Sequence, residues 1–397
     1  MERRHDLDWV RVCAFGLLVL FHVGMYYVSW DWHVKSPHAG EALEPFMMLT
    51  SPWRLSLLFV VSGAATAFLL GKSPQGFLGA RSWRLLVPVI FGMLVIVPPQ
   101  SYYEVLDSGY PGGYHDGYLS FWGRYLRADS TFCDSDGCLL VPTWNHLWFV
   151  VYLWVYTAAV WLVAKLAPQA WPKLSAGLAR ALSGWGALVW PVFLLAATRM
   201  TLVARFEQTH ALVDDWYNHA QYFSVFLIGF LMARTTGFWE SLQRLRWASL
   251  AAAAASYAFI IWYFYGSGYS DANPAPDWFR VFQRSIWALN QWTTIAAIFG
   301  FAYRFRNADN AALRYLTPAV FPVYILHQTV TVIAAYQLRP LSIPPLAEGL
   351  LLIALTYAVC FVGYEIVRRI GVLRPLFGLK RLRSTAGADG VAAQSAT

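Results

Sequence analysis

Charge is scarce in this 397-residue chain: Asp, Glu, Lys and Arg make up 13% of it, about half the share of an ordinary soluble domain. A soluble globule of this length is therefore excluded. Strand-sized segments of alternating polarity are missing too, which excludes an outer-membrane barrel. No His or Cys pair has metal-ligand spacing with supporting acids on the same element, so no bound metal is expected. A glycine-rich phosphate loop is absent as well, since the GKS at Gly71 to Ser73 lacks the upstream glycine that motif requires. No internal repeat is visible, and the first apolar run, although it follows basic residues, is too long for a signal peptide and has no small-residue cleavage site. It is expected to remain as the first helix.

What is present is apolar surface. Hydrophobic residues make up 58% of the chain and the mean hydropathy is positive. Stretches of about 20 apolar residues mark membrane helices, and ten are found near 9–29, 53–70, 83–100, 146–166, 185–205, 219–235, 247–265, 286–303, 318–337 and 346–367. The prediction is an all-α polytopic membrane protein of about ten transmembrane helices. It has one transmembrane domain over 1–370, an outside loop over about 101–145, and a basic, partly disordered tail over 371–397. Lys and Arg concentrate on the cytoplasmic side of short loops. With the N-terminus inside, Arg3, Arg4, Lys72, Arg81, Arg84, Arg234, Arg244, Arg304 and the tail from Arg368 all fall inside. Most acids, among them Glu104, Asp107, Asp116, Asp134, Asp136, Asp214, Asp215, Asp271 and Asp277, fall outside. Both termini are then cytoplasmic. The net charge of +8 reflects this topology and anionic membrane lipids, not nucleic acid.

Of four cysteines, Cys13 and Cys360 lie within spans. Cys133 and Cys138 sit in the outside loop, where an oxidising compartment permits a disulfide; spacing leaves their pairing open. That loop also holds many aromatics, which suit either an interfacial belt or the reception of a sugar, and a short amphipathic helix is expected within it.

Three groups of polar residues interrupt the apolar background. Arg11 and His22 lie eleven residues apart in the first span, about three helical turns, so they share a stripe with Phe15, Leu18 and Tyr26, about 16 Å apart along the axis. Ionisable residues on a membrane helix are costly unless they face a protein-lined cavity, which makes the stripe a channel wall with His22 as its reactive group. Arg81 and Arg84, three apart at the inner mouth of the third span, present two guanidinium forks suited to phosphate; plain positive-inside anchoring is the alternative. Pro88 is expected to bend or break that helix one turn later. The third group is His146, Trp148 and Tyr152 at the outer start of the fourth span, with Tyr324 and His327 on one face of the ninth. A neutral histidine here serves either as a base or as an interhelical hydrogen-bond partner. Ser62 and Gly63 form a small-residue notch suited to close helix packing.

The segments HDLDWVRVCAFGLLVLFHVG, LLFVVSG, RSWRLLVP, HLWFVVYL and FPVYILHQ, in this order, resemble the acyltransferase 3 family of membrane O-acyltransferases, over roughly residues 5–370, and a glucan-modifying branch of it. The family's Arg, ten residues, His signature falls on Arg11 and His22, and its paired arginines fall on Arg81 and Arg84. The resemblance implies transfer of an acyl group, of the acetyl or succinyl class, from cytoplasmic acyl-CoA to a hydroxyl of a periplasmic carbohydrate. His22 would be the catalytic base, Arg11 would flank the donor arm, and Arg81 and Arg84 would bind the donor. His327, Tyr324, His146 and Trp148 would line the acceptor side, with His327, Tyr324 or Trp148 as oxyanion donor. Acyl-CoA is then a substrate, no cofactor is tightly bound, and the location is the bacterial inner membrane. Some members carry a fused esterase-like domain; residues 1–397 contain none, so any second-stage transfer is expected to fall to this domain or a separate partner. The rival reading is a transporter or flippase for a sugar or lipid-linked substrate, disfavoured by the lack of repeat symmetry and of buried acids other than Glu365. Oligomeric state is not legible.

Overall fold

The computed structural model describes residues 3–108, 110, 113–134, 137–270 and 272–381. Asp136, Asp271 and the tail from residue 382 onward lie outside the described residues. Among the described residues the fold is helical, with one isolated β-bridge at Cys133 and Cys138.

The first helix, α1 (His5–Met25), begins four residues earlier than its apolar run suggests. The acids Asp6 and Asp8 occupy its first turn, where negative charge is favoured by the helix dipole. Asp6 is buried and gripped at both oxygens by Arg4, with distances of 2.8 and 2.6 Å. α1 runs against four long helices: α3 (Arg54–Lys72), α12 (Asp277–Ala302), α13 (Ala311–Leu338) and α14 (Pro345–Arg369). It is thus central to the bundle, with α2 (Glu44–Met48) lying between α1 and α3 in sequence.

The remaining helices are α4 (Phe77–Phe91), α5 (Pro98–Asp107), α6 (Gly117–Leu126), α7 (Trp148–Leu166), α8 (Ala170–Ala181), α9 (Gly186–Leu202), α10 (Trp216–Met232), α11 (Thr236–Tyr265) and α15 (Leu373–Leu376). Each of the ten expected spans falls on a helix. Among the described residues, seven stretches are long and apolar enough to cross a membrane; an eighth arises if α8 and α9, bent by 108° at their junction, count as one. α9 and α10 have 17 residues each, about 26 Å against a hydrocarbon core of about 30 Å. α12 is longer, but carries Asp277, Arg280 and Arg284 near its start and buries Asn290, Gln291 and Thr293. The amide nitrogens of Asn290 and Gln291 and the Thr293 hydroxyl find partners inside the bundle, for instance Gln291 donating to Ser56 at 2.7 Å.

Glycine explains the closest helix pair. A Cβ on Gly63 would lie 2.0 Å from the Phe226 carbonyl, and one on Gly229 would lie 2.1 Å from that of Val60. α3 and α10 therefore meet backbone to backbone, which the Ser62–Gly63 notch permits.

Of the bend or break expected at Pro88, the break does not occur. α4 runs through it to Phe91, and the irregularity is a π turn over Gly92–Ile96 before α5 continues the same span. The π turn sets carbonyls free from the regular ladder, and side chains from elsewhere take them up. Trp122 donates to Leu94 O (2.8 Å), Tyr125 to Met93 O (3.0 Å) and Thr329 to Ile96 O (2.7 Å). The first two belong to α6, the helix of the 101–145 loop. That loop has a core of its own in Val105, Tyr114, Phe121, Tyr125 and Phe132, and Cys133 and Cys138 are joined by a disulfide. Arg124, 2.7 Å from Asp129, holds that carboxyl well below the usual carboxylate range.

Residues 371–381, which composition groups with the tail, pack back on α4, with the rings of Phe377 and Phe91 5.4 Å apart. Arg374 fixes this segment by donating to Lys380 O at 2.6 Å and to Arg368 O at 2.5 Å.

Candidate functional site

His22, three residues before the C-terminal end of α1, makes one hydrogen bond: its Nδ1 lies 2.7 Å from Nε2 of His327 on α13, with the rings stacked 4.8 Å apart. The other nitrogen of His327, Nδ1, is 2.6 Å from the Tyr324 carbonyl. A carbonyl only accepts, so His327 Nδ1 carries the proton and, in the neutral ring, Nε2 is an acceptor. His22 must then donate from Nδ1, which leaves the lone pair on its Nε2. His22 is only partly buried and keeps accessible surface.

The same group includes His146, whose ring centre lies 5.2 Å from that of His327, and Tyr324, whose hydroxyl donates to the His146 carbonyl. His146 Nε2 is 3.2 Å from Ile325 O. Four of the expected site residues, His22, His327, Tyr324 and His146, thus meet in one place. Trp148 does not join them. It packs among Phe59, Phe149, Tyr152, His210 and Tyr222, separated from the histidines by Phe149, which itself touches Tyr324 and Phe15.

Sequence reasoning missed a second polar layer beside these histidines. Gln100 Nε2 donates to Thr329 at 2.6 Å, and its Oε1 accepts from Asn145 (3.1 Å) and Gln328 (3.2 Å). Gln328 also reaches His33 Nε2 at 2.8 Å, and His33 Nδ1 meets Glu104 at 2.6 Å. Gln328 next to His327 in a span was the one local signal. The segment carrying His33 is tied down outside the spans by Lys35, whose Nζ donates to the carbonyls of Met25 and Val28 at 3.0 and 2.9 Å and to that of Trp30. Burial holds the Lys35 amine below its ordinary value.

Arg54 was also missed, because at the edge of a span it reads as one more loop cation. It is 6% exposed, lies 3.4 Å over the Phe21 ring and donates from Nη1 to Thr50 at 3.2 Å. Its Nε has no partner, and its charge is close enough to act on His22.

Arg11 lies towards the other end of α1, bonded to Asp8 at 3.2 Å and 31% exposed. It is near enough to Arg81 and Arg84 for the three charges to act on one another, so it belongs with that arginine pair rather than beside the imidazole. Among the described residues no carboxylate pairs with Arg81 or Arg84, and Arg81 Nε has no partner. Arg84 lines a cavity of about 390 Å³ with Trp83, Lys380 and Arg381; the last two come from the segment that Arg374 fixes. A larger, apolar cleft of about 570 Å³ between α1, α3 and α12, lined by Val10, Cys13, Leu17, Trp53 and Ile298, holds none of these residues. Among the described residues no three His, Cys, Asp or Glu side chains are placed to hold a metal ion.

The arrangement can therefore bind an anion at one end of α1 and offer an imidazole lone pair near the other. Known proteins place it further. The chain is similar to glucans biosynthesis protein C of Escherichia coli (strain K12), 23% identical over 394 residues that cover 96% of this chain and 95% of the relative. The protein of the same name from Shigella dysenteriae serotype 1 (strain Sd197) gives the same figures. No solved structure matches. Residues 4–365 match the model of the acyltransferase 3 family, described as an acyltransferase domain, and the chain belongs to that family.

Proposed function

We propose that this membrane acyltransferase moves an acyl group, of the acetyl or succinyl class, from cytoplasmic acyl-CoA to a hydroxyl of a periplasmic carbohydrate, with His22 as general base. The observation that carries the reading is the bond from His22 Nδ1 to His327 Nε2, because it leaves the basic nitrogen of His22 unpartnered. Relatives named for glucan biosynthesis favour a glucan as acceptor.

In this reading α9, α10 and α12 cross the membrane together with the seven more apolar spans. Both termini are then cytoplasmic, in the bacterial inner membrane. Arg81 and Arg84, with Lys380 and Arg381 across the cavity, take the donor phosphates as charged, bidentate contacts. The pantetheine arm passes Arg11 and brings the thioester to His22. The acceptor hydroxyl, arriving past the outer layer of Gln100, His33 and Gln328, gives its proton to His22 Nε2 as its oxygen bonds to the acyl carbon. When the tetrahedral centre collapses, the carbon–sulfur bond breaks, and the leaving thiolate takes the proton back from His22. The ester and free CoA result, and the imidazole returns to its starting tautomer. His146 and Tyr324 position His327, and Trp148 supports the wall behind them.

The test uses the full chain in proteoliposomes, with acyl-CoA on one side and a glucan oligosaccharide on the other, read by mass spectrometry of the sugar. Acylated sugar is expected with the reactants on opposite sides. Product only when both are on one side would overturn the reading.

A further inference from the structure

A tetrahedral intermediate carries a negative oxygen, and the groups nearest His22 have no proton to give it. The Tyr324 hydroxyl donates to the His146 carbonyl, and His327 Nδ1 donates to the Tyr324 carbonyl. Nε2 of His327 is taken by His22, and Gln100 Nε2 is engaged by Thr329. The Trp148 indole sits behind Phe149 and Tyr222. All three oxyanion donors that the sequence suggested are thus occupied or distant.

Arg54 is the exception. Its guanidinium is buried, rests on the ring of Phe21, the residue just before His22, and has one hydrogen bond, to Thr50. Among the described residues no carboxylate lies within ion-pair distance of it, and its Nε is unpartnered inside the protein. Holding a cation in this way is costly for stability, so a group that meets it only during turnover is a physical reason for keeping it. Arg54 opens α3 and His22 is near the C-terminal end of α1, so the two stand at the same level of the bundle.

We propose that Arg54 is the oxyanion-binding residue of this acyl transfer, its free N–H groups receiving the acyl oxygen as the tetrahedral centre forms. The assignment rests on the acyltransferase reading above. As the acceptor oxygen attacks, the carbonyl π pair moves onto the acyl oxygen, and Arg54 donates to it without transferring a proton. When the carbon–oxygen double bond reforms and sulfur departs, the guanidinium is left as it began. Removing one preorganised donor of this kind typically costs about 10² to 10³ in kcat.

The experiment compares Arg54→Gln and Arg54→Lys with the unaltered full chain and with His22→Ala, using acetyl-CoA and a thioester whose acyl group ends in a carboxylate. Thermal unfolding in detergent identifies variants that have simply lost their fold; Arg54→Lys, which keeps the charge, serves if Arg54→Gln does not fold. The expected result is a kcat about 10² to 10³ lower in Arg54→Gln with both donors, a KM for donor within a few-fold of normal, and partial recovery in Arg54→Lys. Wild-type kcat in a folded Arg54→Gln protein overturns the assignment. So does a loss confined to the carboxylate-bearing donor, which would make Arg54 a substrate-carboxylate contact, or a loss seen in KM alone. Full activity in His22→Ala, by contrast, would defeat the underlying reading and not this one.

Discussion

His22 on α1 and His327 on α13 are joined by a single 2.7 Å contact between ring nitrogens, and the Tyr324 carbonyl behind His327 decides which of them donates. The consequence is an imidazole on α1 whose tautomer is fixed before any substrate arrives, ready for the role of base proposed for it. We expect His22→Ala to lower kcat by about 10² to 10⁴, the usual worth of a general base. His327→Leu should cost less, since the base remains but loses its tautomer lock. Steady-state kinetics checks this ordering, and an equal or larger loss in His327→Leu would mean that His327 is itself the base.

Donor binding is expected to depend on the arginine pair of α4 and on the basic residues that face Arg84 across its cavity. Arg81→Ala with Arg84→Ala should weaken acyl-CoA binding by about 1.5 to 3 kcal/mol per lost charged hydrogen bond. Lys380→Ala with Arg381→Ala should raise KM for acyl-CoA and leave a short acyl thioester without the nucleotide unaffected. Calorimetric titration and donor kinetics measure the two, and unchanged donor affinity rejects the phosphate role.

Backbone contact between α3 and α10 makes Gly63 intolerant of any side chain. A Cβ there meets the Phe226 carbonyl at 2.0 Å, so Gly63→Leu forces the helices apart, with an expected cost of at least the roughly 1 to 3 kcal/mol of ordinary overpacking. Gly79→Ala, where an added Cβ meets nothing within 4 Å, is the control. Thermal unfolding in detergent should separate the two variants.

The connection between α9 and α10 is expected to loosen in acid. His210 stacks 4.2 Å from Trp148, its backbone carbonyl accepts from Trp144 at 3.1 Å, and its N–H donates to the buried Asp215. Burial holds its imidazole below the ordinary value, with Asp215 opposing. A histidine shifted down favours the closed loop fully above about pH 6.5, the value of the free group. That preference is lost as pH falls from there towards the lowered value, because the open loop takes up a proton first. Hydrogen exchange of residues 204–215 at pH 7 and pH 5 reads this, and His210→Gln should flatten the difference.

Much of this site could be read from local spacing, because α1 and α13 each carry their polar residues on one face. Arg11 with His22, and Tyr324 with His327, are three- or eleven-residue patterns on single helices. Gln100, His33 and Arg54 were hidden for the opposite reason. His33 finds Glu104 71 positions away and Gln100 finds Thr329 229 positions away, and periodicity carries no trace of such encounters. Composition shows only a basic, partly disordered tail after α14; it does not show that Phe377, packed on Phe91, gives Lys380 and Arg381 a fixed seat against α4. In α12, a stripe of Asn290, Gln291 and Thr293 lowers apolarity because it faces partners in the bundle, a fact about packing that a hydropathy scan does not hold.

The π turn at Gly92–Ile96 has one more effect. Three of the carbonyls it frees are held by Trp122, Tyr125 and Thr329, so the span that carries Arg81 and Arg84 cannot slip or rotate by a residue without losing all three bonds at once. Its depth is pinned against α13, the helix that orients the imidazole. The separation of the paired arginines from the imidazole is thus set by the fold, and in the proposed reaction it would act as a ruler that selects a donor arm of matching length.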